Sequence, residues 1–258
     1  MASASFTAVE TVRPARMLLP EHGVMKHATD SRMTGTPLEE YHRKRRFTET
    51  PEPVGQVRRS SRRCIFVVQK HDASRLHYDF RLTINGVLAS WAIPKGPSMN
   101  PSEKRLAVRT EDHPLEYAQF EGVIPAGQYG AGTVMVWDTG TYKPQDGLPP
   151  DEQLACGKID MVLQGQKLRG GFTLVQTGKR SDHSSQKERW LLIKHRDEYA
   201  DPSWDIDNPE LDRSVLTGRT LKEIEEGRPG KKPLTRMAPN QARQQAPSQR
   251  IDSSRGTS

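Results

Sequence analysis

The segment His77-Tyr78-Asp79-Phe80-Arg81-Leu82 constrains this chain more than any other. Polar and apolar residues alternate across it, the period of a β-strand with one face turned to a core. Asn85-Gly86 follows, a pair suited to the two-residue turn of a hairpin. Val87-Leu88-Ala89-Ser90-Trp91-Ala92-Ile93 then returns as the partner strand. Residues two apart on a strand share a face. His77, Asp79 and Arg81 therefore project together, while Tyr78, Phe80 and Leu82 enter the core.

Further short apolar runs of strand length surround this hairpin. They are Cys64–Gln69, Arg105–Val108 with Arg109, Gly132–Trp137, Lys158–Leu163, Gly171–Val175 and Trp190–Lys194. Short strands at this spacing, punctuated by Gly and Pro, predict a mostly β chain closed as a barrel or sandwich. Short helices are expected at its flanks. One starts at Pro37 with Thr36 as N-cap and ends before Thr50-Pro51-Glu52-Pro53, another makes a turn within 150–156, and a third spans 220–226, stopped by Gly227. The expected organisation is a flexible extension over 1–36, one compact β-barrel-like domain over 37–227, and a disordered basic tail over 228–258.

Charge follows the same division. The net +7 is concentrated on the flanks: residues 37–63 carry +4 and residues 228–258 carry +6, whereas 64–227 carry −4. An anion site in the centre must then be built from a few aimed side chains. The flanks can add phosphate attraction that weakens with salt. The basic groups at Arg43-Lys44-Arg45-Arg46 and at Arg58, Arg59, Arg62 and Arg63 read equally well as a solvated lead-in. The two cysteines, Cys64 and Cys156, show no zinc spacing and are expected as buried free thiols in a reducing compartment. No apolar run approaches membrane-spanning length, so a soluble cytoplasmic protein is expected.

Three groups carry chemistry. His77, Asp79 and Arg81 put two metal-ligand types and a guanidinium in one row, with His71 at the other end of a short loop. Imidazole and carboxylate suit Mn²⁺, Fe²⁺ or Zn²⁺, and guanidinium suits phosphate oxygens. The alternative is an ordinary solvent-facing strand with salt bridges. Thr110–Tyr117 brings Glu111, His113 and Tyr117 into a loop held by Pro114, where a hydrated turn is the alternative. Ile93–Ser98 presents Lys95 from a rigid loop. The glycine-rich run Gly122–Gly132 lacks the Gly-Lys-Ser/Thr of a nucleoside triphosphate loop.

Taken together, Phe66–Leu82, Ser90–Ser98, Glu111–Tyr117, Phe120-Glu121-Gly122 with Ile124-Pro125, Tyr129–Gly132 with Trp137–Gly140, and Trp190–Lys194 resemble, in order, the 3′-phosphoesterase domain of bacterial DNA ligase D. The resemblance covers roughly residues 40–200. It implies a β-barrel-like fold with a polar site on a concave face. It also implies a Mn²⁺-dependent enzyme, with other divalent transition metals as alternatives. Such an enzyme removes a 3′ ribonucleoside and then the remaining 3′-phosphate, leaving a 3′-hydroxyl in non-homologous end joining. By motif position, His71, His77 and Asp79 would be metal ligands and Arg81 would hold the scissile phosphate. His113 and Tyr117 would complete the pocket, His113 being needed most for the phosphomonoester step. Lys95 and Arg105 would assist phosphate binding, with Gln69, Arg75 and Glu111 in support. The family lead-in has Asp after Arg and before Phe; here Arg45-Arg46-Phe47 stands, which leaves the acidic contact of that segment open.

No Lys-x-Asp-Gly ligase nucleophile is present: Lys143-Pro144-Gln145-Asp146-Gly147 is one residue too long. A stand-alone, monomeric, nucleoid-associated healing enzyme is therefore expected. Its partners would be DNA or DNA/RNA 3′ ends, with Ku and a separate ligase or polymerase as candidates. Two other classes remain: a non-catalytic nucleic-acid-binding module, and a 2-His-1-carboxylate iron oxygenase.

Overall fold

The computed structural model describes residues 36–58, 63–177 and 188–230. Arg59, Arg62, nearly all of the expected N-terminal extension and the tail beyond 230 lie outside the described residues. The strands are β1 Ile65–Asp72, β2 Leu76–Ile84, β3 Val87–Ile93, β4 Lys104–Arg109, β5 Gly122–Ile124, β6 Gly132–Pro144, β7 Lys158–Gln164, β8 Arg169–Gln176 and β9 Arg189–Lys194. The helices are α1 Glu39–Arg43, α2 Pro150–Ala155 and α3 Leu221–Glu225.

All described strand pairs are antiparallel, in the order β1-β2-β3-β4-β9-β8-β7-β6, and β6 pairs back onto β1. The ring is thus a closed eight-stranded barrel, which leaves no long edge unpaired. Strand β5 adds to the start of β6 outside this ring. It is the one strand without a counterpart in the sequence reading, because three residues are too few to display a period. The predicted hairpin forms with Ile84 opposite Val87, and Asn85 and Gly86 both take positive φ, as a type I′ turn requires.

Side-chain alternation sorts the barrel wall into two layers. Phe66, Val68, Tyr78, Phe80, Leu82, Trp91, Trp137, Phe172 and Trp190 belong to the interior core. The opposite face of β1, β2, β3 and β6 is also covered. There Val67, Leu88 and Val136 pack with Tyr41 of α1, Tyr117 and Val215 in a second, smaller cluster. The polar row of β2 lies in this outer layer, so the site faces away from the barrel interior. It is nonetheless sequestered: Asp79 and Arg81 are buried.

Some local expectations change. Leu38, not Thr36, caps α1, without a side-chain hydrogen bond; Thr36 instead offers its carbonyl to the Glu39 N–H at 2.9 Å. Thr220 does cap α3, in a reciprocal box with Glu223. Both cysteines are free, but they are not buried: Cys64 is half-buried and Cys156 is exposed at the end of α2. The β1–β6 register shifts at Val68/Gln69, a bulge that leaves Trp137 without a partner on β1 and keeps Asp138 opposite Val68. The Asp138 carboxylate accepts from the backbone N–H groups of Thr139, Gln166, Lys167 and Leu168. No described helix is long and apolar enough to cross a membrane.

Candidate active site

The antiparallel register of β1 and β2 places His71 opposite His77 and Gln69 opposite Asp79. Residues far apart in the loop sense thereby become neighbours on the outer face. One ligand atom from each of His71, His77 and Asp79 lies within 4.8 Å of the others, the one such group of three among the described residues. His71 Nδ1 is 3.7 Å from Asp79 Oδ2, and His77 Nε2 is 3.8 Å from Asp79 Oδ1. The remaining ring nitrogens have backbone partners. His71 Nε2 meets the Gly130 carbonyl at 2.9 Å, and His77 Nδ1 meets the Arg75 carbonyl at 2.9 Å. A carbonyl can only accept, so each of these nitrogens carries a proton. In the neutral rings the lone pairs then sit on His71 Nδ1 and His77 Nε2, both aimed at Asp79. Two neutral imidazoles oriented by outer carbonyls, plus a carboxylate, form a donor set that fits a divalent transition metal. Burial alone would raise the Asp79 carboxyl. The Arg81 guanidinium, helped by the two histidines whenever they are protonated, overcomes this and holds it well below the usual carboxylate range, ready to ligate.

Arg81 is fixed on nearly every side. Its Nε donates to Gln69 Oε1 at 2.9 Å, Nη1 to Ser90 Oγ at 2.8 Å and faces His113 Nδ1 at 2.9 Å, and Nη2 donates to Asp79 Oδ2 at 3.0 Å. A guanidinium has five N–H groups, which leaves Nη2 a second donor beside the metal-ligand group. Gln69 in turn donates to the Tyr117 and Phe120 carbonyls, tying the turn Leu115–Gln119 to the sheet. His113 is held by an isolated bridge to Leu88. Its Nδ1 lies 2.9 Å from the Glu111 carbonyl and Nε2 lies 3.2 Å from Arg45 Nη2. Nδ1 also lies 2.9 Å from Arg81 Nη1, so each ring nitrogen faces a guanidinium. Burial, with Arg81 and Arg45 nearby, pushes the His113 pKa well below that of an ordinary histidine. Burial, reinforced by Glu52, pushes the Tyr117 phenol well up against the opposing pull of Arg81 and Arg45, so it stays protonated.

The lead-in segment supplies what the sequence reading did not find. Arg45, read as part of a solvated basic run, has a side chain only 4 % exposed, and Glu52 beneath it is 0 % exposed. Glu52 Oε1 accepts from Arg45 Nε at 2.8 Å and from the Tyr117 hydroxyl at 3.0 Å. Arg45 also stacks over Tyr41, 3.9 Å from the ring centroid, and reaches Glu111 at 3.3 Å. Lys44 bonds Glu111 and Tyr129. The lead-in segment thus brings a buried acid, Glu52, to Arg45 and Tyr117. Pro51 and Pro53 on either side of it were the available signal, since two fixed φ angles hold the carboxylate in place. Nothing in the run of four basic residues singles out Arg45; only docking does.

These groups surround a cavity of about 480 Å³ whose wall includes His71, His77, Asp79, Arg81, His113, Tyr117, Glu111 and Arg45. Arg75 also lines it, although its carbonyl, not its guanidinium, touches His77. Lys95 and Arg105 are not brought into the cavity wall. Arg105 is paired with Glu103 and with the carbonyl of Lys95, whose own side chain is exposed on the adjoining loop.

Residues 69–176 match the family model described as the DNA ligase D 3′-phosphoesterase domain. The chain is 50 % identical over 189 residues to the multifunctional non-homologous end joining protein LigD of Pseudomonas aeruginosa, across 72 % of this chain and 22 % of that protein. It is 40 % identical over 172 residues to the LigD DNA repair protein of Mycobacterium tuberculosis, covering 66 % of this chain and 21 % of that one. The match to LigD of Mycolicibacterium smegmatis is 40 % over 166 residues, 62 % of this chain and 21 % of the relative. The chain thus spans about a fifth of the length of the curated relatives it matches. Residues 69–176, which form most of the closed barrel, belong to the DNA ligase D 3′-phosphoesterase domain family.

Proposed function

We propose that this chain is a divalent-metal-dependent hydrolase of phosphate esters at DNA 3′ ends, acting in repair by non-homologous end joining. Mn²⁺ is the proposed metal. The proposed reactions are removal of a terminal 3′ ribonucleoside and then of the 3′-phosphate, leaving a 3′-hydroxyl. DNA or DNA/RNA 3′ ends would be the substrate, and Ku and a separate ligase or polymerase would be partners. The observation that carries this reading is the convergence of His71, His77 and Asp79 beside Arg81 on one cavity wall.

Charge balance supports a metal requirement. The bonded network holds three cations, Lys44, Arg45 and Arg81, against four carboxylates, Glu40, Glu52, Asp79 and Glu111. A phosphate anion entering this network gains little net attraction from it. When bound by His71, His77 and Asp79, a divalent cation supplies Lewis-acid neutralisation of the phosphate oxygens. The second Nη2 N–H of Arg81 would donate a charge-assisted hydrogen bond to one of those oxygens. His113 starts neutral, with Arg45 at Nε2 and Arg81 at Nδ1. Anionic phosphate between the two arginines would offset the charge that depresses its pKa. The imidazole would then gain proton affinity as substrate arrives and could hold a proton for the leaving oxygen. Protonated Tyr117, locked by Glu52, would keep Arg45 in place.

The two histidines and one carboxylate also match the ligand set of non-haem iron oxygenases. Arg81 bound directly to Asp79 and Arg45 over His113 favour an anionic substrate instead. A labelled primer–template ending in 3′-phosphate, incubated with the protein and Mn²⁺, tests the proposal. Conversion to a 3′-hydroxyl that a ligase can seal, abolished by EDTA and by His77→Ala, is expected. No conversion of this substrate or of a 3′-ribonucleotide end, with metal bound and the fold intact, would overturn the proposal.

A further inference from the structure

Tyr129 is the largest side chain on the cavity wall with no role in holding the metal ligands or phosphate. It lines the cavity yet is 42 % exposed, unlike the buried Tyr41 and Tyr117 behind it. Its ring is not adrift. Lys44 Nζ lies 4.5 Å from the ring centroid and donates to the hydroxyl at 3.3 Å. Lys44 is itself tied to Glu40 at 2.7 Å and to Glu111 at 3.2 Å. Backbone turns hold the loop, with Gln128 N–H bonded to Pro125 and Ala131 N–H to Gln128. The next residue, Gly130, takes φ +76°, and its carbonyl receives His71 Nε2. The ring thus stands one residue from the group that orients a metal ligand, so its distance from the phosphate position is set by the fold.

Hydrophobic burial does not account for this ring, because so much of it meets water. An exposed aromatic face beside a phosphate site has a natural partner in a nucleobase, which offers a flat π surface a few bonds from the phosphate. Leu76, also 42 % exposed, adds apolar surface to the same cavity wall. We infer that Tyr129 is the stacking platform for the base of the nucleotide that carries the scissile phosphate. This rests on the proposed action at nucleic-acid 3′ ends and adds the group that recognises the terminal nucleoside. Every base has a π face, so the platform would favour the presence of a base over its absence without choosing among sequences. Tyr129 would be a specificity residue, with Lys44 positioning it.

The test uses the full chain with Mn²⁺ and a primer–template whose recessed strand ends in a 2-aminopurine nucleotide bearing a 3′-phosphonate in place of the phosphate, whose C–P bond resists turnover. A second strand is identical except that the terminal nucleotide is abasic. Binding is read by anisotropy and stacking by quenching of 2-aminopurine. Wild type should quench the fluorophore and bind the base-ended strand about tenfold more tightly than the abasic one, within the roughly five- to hundredfold that stacking one base provides. Tyr129→Ala should lose both the quench and the preference. Tyr129→Phe, which lacks the hydroxyl bonded to Lys44 but keeps the ring, should retain both. If Phe and Ala lose binding alike, Tyr129 serves only as a strap for Lys44, and the inference is overturned. It is also overturned if wild type treats the two strands equally while still releasing phosphate from the 3′-phosphate primer with Mn²⁺. Failure of wild type to bind either strand or to release phosphate would overturn the proposed function as well.

Discussion

Replacing Glu52 with Ala removes the carboxylate that joins the lead-in segment to the site. Its Oε1 accepts from Arg45 at 2.8 Å and Tyr117 at 3.0 Å, and its Oε2 accepts from Thr50 at 2.9 Å. Removing one member of a buried ion pair costs about 3–5 kcal/mol, because the other charge stays desolvated. Arg45 keeps its contact with Glu111 at 3.3 Å, which places the expected loss at the lower end, about 3 kcal/mol. A domain of this size shifts its Tm by about 2–4 °C per kcal/mol, so a fall of about 6–12 °C is expected if the loss is felt globally. Alternatively the segment from α1 to Pro53 releases by itself. Tm then moves little, but amide exchange across residues 38–53 rises and phosphatase activity falls with the departure of Arg45. Glu52→Gln keeps the shape and one acceptor and should lose roughly half as much. Urea denaturation, exchange mass spectrometry and the primer assay together read both routes. A Glu52→Ala protein with unchanged stability, unchanged protection of 38–53 and full activity would refute the claim that this carboxylate holds the site together.

His77→Ala and Asp79→Ala should each abolish both 3′-end reactions and weaken Mn²⁺ binding measured by calorimetry; metal-dependent turnover in either folded variant would remove them from the ligand set. His113→Ala should slow phosphate release more than ribonucleoside release, and equal losses on the two substrates would contradict that division. His113 also predicts a pH dependence of stability. Its folded pKa is depressed by burial and two arginines, so below about pH 6.5 the unfolded chain binds a proton that the folded chain refuses. Stability from this group is complete above about pH 6.5 and falls by up to about 1.4 kcal/mol per pH unit below it. Urea midpoints at pH 7 and 5 should differ less in His113→Gln than in wild type; an identical difference would mean that His113 does not titrate as described. Asp138→Ala strips four backbone N–H groups of their buried acceptor and should cost roughly 3 kcal/mol or more while leaving Mn²⁺ affinity unchanged. Loss of metal affinity at wild-type stability would place Asp138 in the site instead of the scaffold.

The barrel strands were readable because alternation is a local property. Tyr78, Phe80 and Leu82 enter the core and His77, Asp79 and Arg81 leave it, as the period requires. Extension of β1 through His71 was not readable, since Lys70, His71 and Asp72 carry no apolar residue; pairing with both β2 and β6 draws them into the sheet. Burial of the polar row was equally hidden. A His-x-Asp-x-Arg face looks the same whether water or a second layer covers it.

The order of motifs along the chain, the hairpin at Asn85-Gly86 and the face shared by His77, Asp79 and Arg81 were determined by the sequence alone. Each depends on residues a few positions apart, where backbone geometry fixes direction. Tertiary structure alone decided that His71 meets His77, that Arg45 leaves a solvated run to cap His113, and that Glu52 supplies the buried acid. It also decided that Lys95 and Arg105 stay outside the cavity wall. Those outcomes depend on strand register and on a docked segment, where residues distant in sequence compete for the same buried charges. A buried guanidinium donates to whichever carboxylates the fold delivers, and chain order does not say which those will be.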